Sequence, residues 1–135
     1  MGIHSATDSF KENEGYMEMI GSEFVGHGEM VDIAVEHSDD YEEILPRMAK
    51  SWAIFDEFYQ VKVRATQPLR AFQHGFWQYE RKMLGYVRDY GKGRVLYTGL
   101  GHGEEALNHP EFKDLVFKAI RYVSGKKEAP LRWGI

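Results

Sequence analysis

The sequence contains no cysteine. Disulfides, thiolate metal sites and cysteine nucleophiles are therefore excluded. No apolar run approaches the roughly 20 residues that a membrane-spanning helix needs, and no run of basic residues is longer than two. Acidic residues outnumber basic ones by 21 to 17, for a net charge of -4. That balance leaves no electrostatic footprint for nucleic acid. No secretory leader is recognisable before residue 2. The expectation is a soluble, cytoplasmic protein with neither a nucleic-acid nor a membrane partner.

What is present is a globular composition. The 135 residues are 43% hydrophobic and 14% aromatic, enough for one domain with a real core. Asp8 or Ser9 is placed to cap a helix from about Glu12 to Ile20. Gly21 to Gly28 reads as a loop around His27. Met30 to Glu36 alternates as a half-buried strand does. Ile44-Leu45-Pro46 forms a short apolar anchor. Ser51 to Val63 reads as extended chain around a kink at Phe55-Asp56-Glu57-Phe58-Tyr59. Residues 66 to 81, with Pro68, Gly75 and many aromatics, read as an exposed loop. Met83 to Asp89 and Arg94 to Thr98 form a hairpin about Tyr90-Gly91-Lys92-Gly93. A glycine-rich loop, Gly99 to Gly103, follows. Asn108 is the expected cap of a last helix running to about Ser124, with Gly125 ending it. Phe112, Leu115, Val116, Ala119, Ile120 and Val123 give that helix one apolar stripe.

Three histidines share a setting. His4 follows Gly2-Ile3 and precedes Ser5-Ala6, while His27 and His102 each lie in Gly-His-Gly. Glycine neighbours leave an imidazole unshielded and let a ligand approach the backbone. Imidazole exchanges protons near pH 7 and can ligate metals. Asp56 and Glu57 lie inside an aromatic run, where burying a carboxylate is costly; they are candidates to hold an imidazole, a metal or sugar hydroxyls. The six aromatics from Phe55 to Trp77 suit either a sugar-stacking face or a core. No His-x-His or His-x3-His spacing supports a metal, and no metal or other cofactor is assigned. His109-Pro110-Glu111 reads as helix capping and not as chemistry.

Several stretches, taken together, resemble a ThuA-like (trehalose utilisation) domain. They are Gly2 to Asp8, Phe24-Val25-Gly26-His27, Asp56-Glu57-Phe58-Tyr59, Arg88 to Val95, Tyr97 to His102, and Ile120 to Val123 followed by Gly125. The resemblance implies an α/β fold, a flavodoxin-like or class I glutamine amidotransferase-like sandwich with a mainly parallel sheet. It places His4 at the elbow where amidotransferases carry their cysteine, and His102 with Glu104 at the position of their His-x-Glu. With no thiol, glutamine hydrolysis through a thioester is not expected. The implied site has His4, His102 and Glu104 as catalytic residues and Ser5, His27, Asp56, Glu57 and Tyr59 as substrate-binding residues. His4, His27 and His102 should then converge. The implied substrate is trehalose, a related disaccharide or a keto-sugar derivative.

In a full domain of this kind the elbow lies near mid-chain. Residues 1–125 are therefore expected to be its C-terminal part, incomplete at the N-terminus. Residues 126–135 read as a linker and tail that resemble the opening strand of a Gfo/Idh/MocA-type NAD(P)-dependent oxidoreductase. Such an oxidoreductase is one expected partner. A homo-oligomer, with a second copy covering the open sheet, is the other. The rival expectation is a non-catalytic interaction module.

Overall fold

The computed structural model describes residues 1–125; the expected linker and oxidoreductase-like tail, residues 126–135, lie outside them. The described chain is a mixed α/β fold. Strand β1 is Gly2–Ile3, and a 3-10 turn, His4–Asp8, follows it. Helix α1 is Glu14–Ile20, then come β2 (Ser22–Gly26), β3 (Val31–His37), β4 (Ser51–Asp56) and β5 (Gln60–Val63). The chain continues through β6 (Arg70–Trp77), β7 (Glu80–Tyr90), β8 (Gly93–Thr98), α2 (Glu104–Asn108) and α3 (Pro110–Val123).

Six strands form one sheet in the order β1-β8-β7-β6-β3-β4, and β2 pairs with β5 in a separate ribbon. Within the described residues only β1 and β8 are parallel; every other pair in the large sheet is antiparallel. The sheet is thus mixed rather than mainly parallel. Strands β1, β8, β6 and β4 consequently run in one direction and end at one edge of the sheet.

Strand β8 shows why the layers form. Val95 and Tyr97 point to one face, where Met17 and Ile20 of α1 pack. Leu96 points to the other, where Leu115 and Ala119 of α3 pack. This is the period-two alternation of a strand covered on both faces. Helix α3 buries Phe112, Leu115 and Ala119, with Val116 and Val123 half-buried beside them, but leaves Ile120 exposed.

Three details differ from the sequence reading. Helix α1 is capped by Asn13, whose side chain accepts from the Tyr16 N–H at 2.9 Å. Asp8 and Ser9 do not cap it, because they belong to the turn after β1, where the Ser9 hydroxyl donates to the Ser5 carbonyl. Helix α3 is capped by His109, whose Nδ1 accepts from the Glu111 N–H at 3.1 Å; Asn108 instead closes α2. Residues 22–26, read as loop, form β2.

The largest departure is β6, placed in the middle of the sheet where an exposed loop was expected. Its Phe72 and Gln73 are wholly buried. Gln73 reads as surface chemistry, but a chain of hydrogen bonds satisfies it. The Leu100 N–H donates to the Thr98 hydroxyl at 3.4 Å, which donates to Gln73 Oε1 at 2.7 Å. Gln73 Nε2 meets His37 Nε2 at 3.2 Å, and His37 Nδ1 reaches the Ala49 carbonyl at 2.9 Å. One assignment of protons serves every member: His37 is neutral, donates from Nδ1 and accepts at Nε2.

Burial among Tyr41, Trp52 and Phe72 holds His37 below the ordinary imidazole value of 6.5, against the Ala49 hydrogen bond, which favours the proton. The unfolded chain therefore takes up a proton near pH 6.5 that the folded chain refuses. Stability is fully present above that pH and falls as the pH drops toward the folded value, by up to about 1.4 kcal/mol per unit for each such histidine. Thermal melts between pH 7.5 and 5 should show Tm falling with acidity. His37→Asn, which keeps a donor for Ala49, should lower Tm at pH 7.5 and flatten part of that slope. An unchanged slope would place the titrating groups elsewhere.

Candidate functional site

The common edge of the sheet builds the site. His4 follows β1, Glu57 follows β4, and His102 lies in the loop after β8. The β2–β5 ribbon pairs Gly26 with Gln60, which sets His27 beside Tyr59. Laid flat, β8 and β4 would stand four strand spacings apart, about 19 Å. The sheet curls instead. The Asp56 carboxylate at the end of β4 accepts from the Gly101 N–H at 2.7 Å and the His102 N–H at 3.0 Å. It also accepts from the Glu57 N–H at 2.9 Å. Asp56 is wholly buried, and these three donors replace the water its charge gives up.

Gly101 makes the clamp possible. Its φ is +114°, and a Cβ there would lie 2.9 Å from both Ile3 and Phe112. Only glycine suits that backbone and that space.

His4 is held in an unusual backbone state, with φ at +46°. Such a conformation is strained for a non-glycine residue and persists only where its surroundings fix it. Two hydroxyls do so. Tyr97 donates to the His4 carbonyl at 2.9 Å, and Thr7 contacts both that carbonyl at 3.4 Å and the Tyr97 hydroxyl at 3.0 Å. Burial pushes the Tyr97 phenol well up, so it stays a donor.

The three imidazoles surround Glu57. His4 Nε2 lies 3.2 Å from Glu57 Oε2, and His102 Nδ1 lies 3.2 Å from the same oxygen. His27 Nε2 lies 3.6 Å from Oε1. The Tyr59 ring forms the floor, with its centroid 3.7 Å from that of His4 and 4.3 Å from that of Phe24. It stacks nearly parallel to His27 at 5.8 Å. Burial lowers the pKa of His4, partly opposed by the nearby Asp56 and Glu57 charges, which raise it. The His4 ring is therefore neutral at pH 7, with Nε2–H donating to the carboxylate. His27 Nδ1 reaches the Gly28 carbonyl at 2.6 Å. In the neutral ring the proton sits on Nδ1, and Nε2 presents a lone pair beside Glu57.

The pattern of residues 1–123 matches the family described as trehalose utilisation, ThuA. The chain belongs to the ThuA family. A ThuA-like protein from Parabacteroides merdae superposes with a TM-score of 0.77 at 17% identity, over 96% of this chain and 62% of that one. A second, from Bacteroides uniformis, gives 0.66 at 16% identity, over 93% and 58%. This chain thus spans about three-fifths of the length of those structures. No curated protein matches it.

Set against the residues that the ThuA resemblance singled out, the structure gathers His4, His27, His102, Glu57 and Tyr59 at one place. Asp56 touches no imidazole ring; it holds the loop that carries His102. Ser5 faces solvent in the turn after His4, and Glu104 stands exposed in the first turn of α2, outside the cluster. Of the six aromatics, Phe58 and Phe72 are core, and Tyr59 is only 7% exposed beneath the imidazoles. Phe24, Thr7 and Tyr97 support the site; they lie within the stretches that resemble the family but were not singled out as site residues. His4, Glu57 and His102 also offer ligand atoms that all lie within 4.8 Å of one another.

Asp56→Asn should cost about 2–3 kcal/mol, because the amide group places a donor against backbone donors in a buried place. Glu57→Gln, whose side chain holds no backbone, should cost much less. Urea denaturation of both variants checks the ranking. Equal losses would show that the Asp56 clamp does not hold the loop.

Proposed function

We propose that this ThuA-family chain binds a disaccharide, or its keto derivative, at the cluster of His4, His27, His102 and Glu57, and moves a proton there. The observation that carries the reading is the convergence of three imidazoles from three separate elements on one largely buried carboxylate. Titratable groups gathered on a buried acid mark functional sites, and imidazole can exchange protons with sugar hydroxyls near pH 7. His27 is the base: with Nδ1 hydrogen-bonded to the Gly28 carbonyl, its Nε2 carries the lone pair and lies 3.6 Å from Glu57 Oε1. His4 hydrogen-bonds Glu57, and His102 Nδ1 stands 3.2 Å from the same carboxylate oxygen, so the two rings flank the acid. Tyr59 supports the rings from below and offers no free face for a sugar to stack on. An NAD(P)-dependent oxidoreductase partner would supply the keto form.

Titration calorimetry with trehalose and its keto derivative tests this. Binding in the millimolar range or tighter is expected, weakened at least tenfold by His27→Ala and by Glu57→Gln. Absence of binding to any disaccharide, or binding indifferent to both substitutions, would overturn it.

A second reading is favoured by β1. This two-residue strand carries His4 and pairs only with β8 among the described residues. An open edge invites another strand, and a second copy would supply one in a homo-oligomer. Sedimentation at low micromolar concentration should then give a dimer or larger species. A monomer that binds sugar normally would remove this reading and leave the first intact.

A further inference from the structure

The sequence offers no metal signature, because no two histidines have ligand spacing. The fold changes that. We propose that His4 Nε2, His102 Nδ1 and Glu57 Oε2 form a site for one divalent metal ion of the zinc type.

The geometry is the first argument. A tetrahedral ion with ligands at about 2.0–2.1 Å needs neighbouring donor atoms about 3.3 Å apart. Glu57 Oε2 already lies 3.2 Å from each of the two imidazole nitrogens. The remaining edge, between the nitrogens, is no more than 4.8 Å. Closing it to the tetrahedral value needs the two rings to turn toward each other about Glu57.

The donor set is the second argument. Two imidazoles and one carboxylate suit zinc and its neighbours in the first transition row, whereas magnesium and calcium prefer oxygen alone. Three protein ligands leave a fourth position, as a catalytic ion requires. Solvent reaches the three groups at His102, whose side chain is 47% exposed while those of His4 and Glu57 are 9% and 12% exposed. A sugar hydroxyl or a water could take the fourth position.

The supports are the third argument. Metal sites work when surrounding groups fix the ligands in advance. Here the Asp56 carboxylate holds the backbone of His102, and Tyr97 with Thr7 holds that of His4. The strained His4 backbone thus has a use, since it turns the ring toward Glu57. His27 stays outside the ligand set, against the other carboxylate oxygen, and remains free to act as base.

The proposal deepens the sugar reading, and its catalytic meaning rests on that reading, but metal binding is measured with no sugar present. The full chain, purified without a polyhistidine tag or nickel resin and stripped with chelator, is titrated with zinc chloride by calorimetry. It is also titrated with cobalt(II), followed by visible absorption. One equivalent should bind at micromolar Kd or tighter, with the intense absorption of tetrahedral cobalt. His102→Ala, in an exposed loop, and Glu57→Gln should each weaken binding at least tenfold. His4→Ala should do the same, and circular dichroism checks its folding. His109→Asn, which keeps the cap of α3, should bind as the unaltered chain does. Failure to bind at 0.1 mM zinc, or binding kept in both His102→Ala and Glu57→Gln, overturns the proposal. Zinc bound at these residues without any sugar affinity would sustain the metal site and remove the sugar reading. Sugar binding by the stripped chain with no metal affinity would do the reverse.

Discussion

The site depends on the Asp56 carboxylate. A buried charge at the end of β4 is costly unless its hydrogen bonds are restored, and here backbone N–H groups from the loop after β8 restore them. The same bonds join two strands that a flat sheet would hold far apart. They fix the curl of the sheet, the path of the glycine loop and the position of His102. Glu57, next in the chain, is thereby delivered to the centre of the three imidazoles. Neighbouring acids therefore do different work, one holding backbone and the other facing the open cluster.

A second polar device runs inside the core. The chain from Leu100 through Thr98, Gln73 and His37 to Ala49 crosses the sheet from the glycine loop to the far end of β3. A fully satisfied network of this kind tolerates one arrangement of its donors and acceptors. It steadies the glycine loop from within, while Asp56 holds it from the rim. His102 thus sits on a loop secured at adjacent residues.

Much of the molecule was legible in advance because local chemistry and tertiary demand agreed. The β7–β8 hairpin, strand β3 and helix α3 each carry a clean period, and each formed close to its expected limits. The glycine-flanked histidines also pointed to a common place. Strand β6 was not legible, because Gln73, His74 and Gly75 interrupt its alternation and suggest a loop. The buried partners of Gln73 come from β3 and β8, so nothing within β6 announces them. The caps of α1 and α3 were misplaced by a few residues for a similar reason: several polar residues could have served, and the neighbouring turns had already used some of them.

The sequence by itself determined the chemical inventory. Without cysteine no thiol chemistry is open to the chain, and the Gly-His-Gly triplets and the Asp56-Glu57 pair name the groups that remain. Its periodicities also determined most strands and the long helix, since these answer to local spacing. Only the tertiary structure decided which acid meets the imidazoles and which holds the backbone, and that Glu104 and Ser5 stand apart. It alone drew His4, Glu57 and His102 into ligand-like proximity. These residues are separated by 53 and 45 positions, so no local pattern can encode their contact. It arises from the curl of the sheet, and the curl arises from a buried carboxylate seeking donors across the sheet.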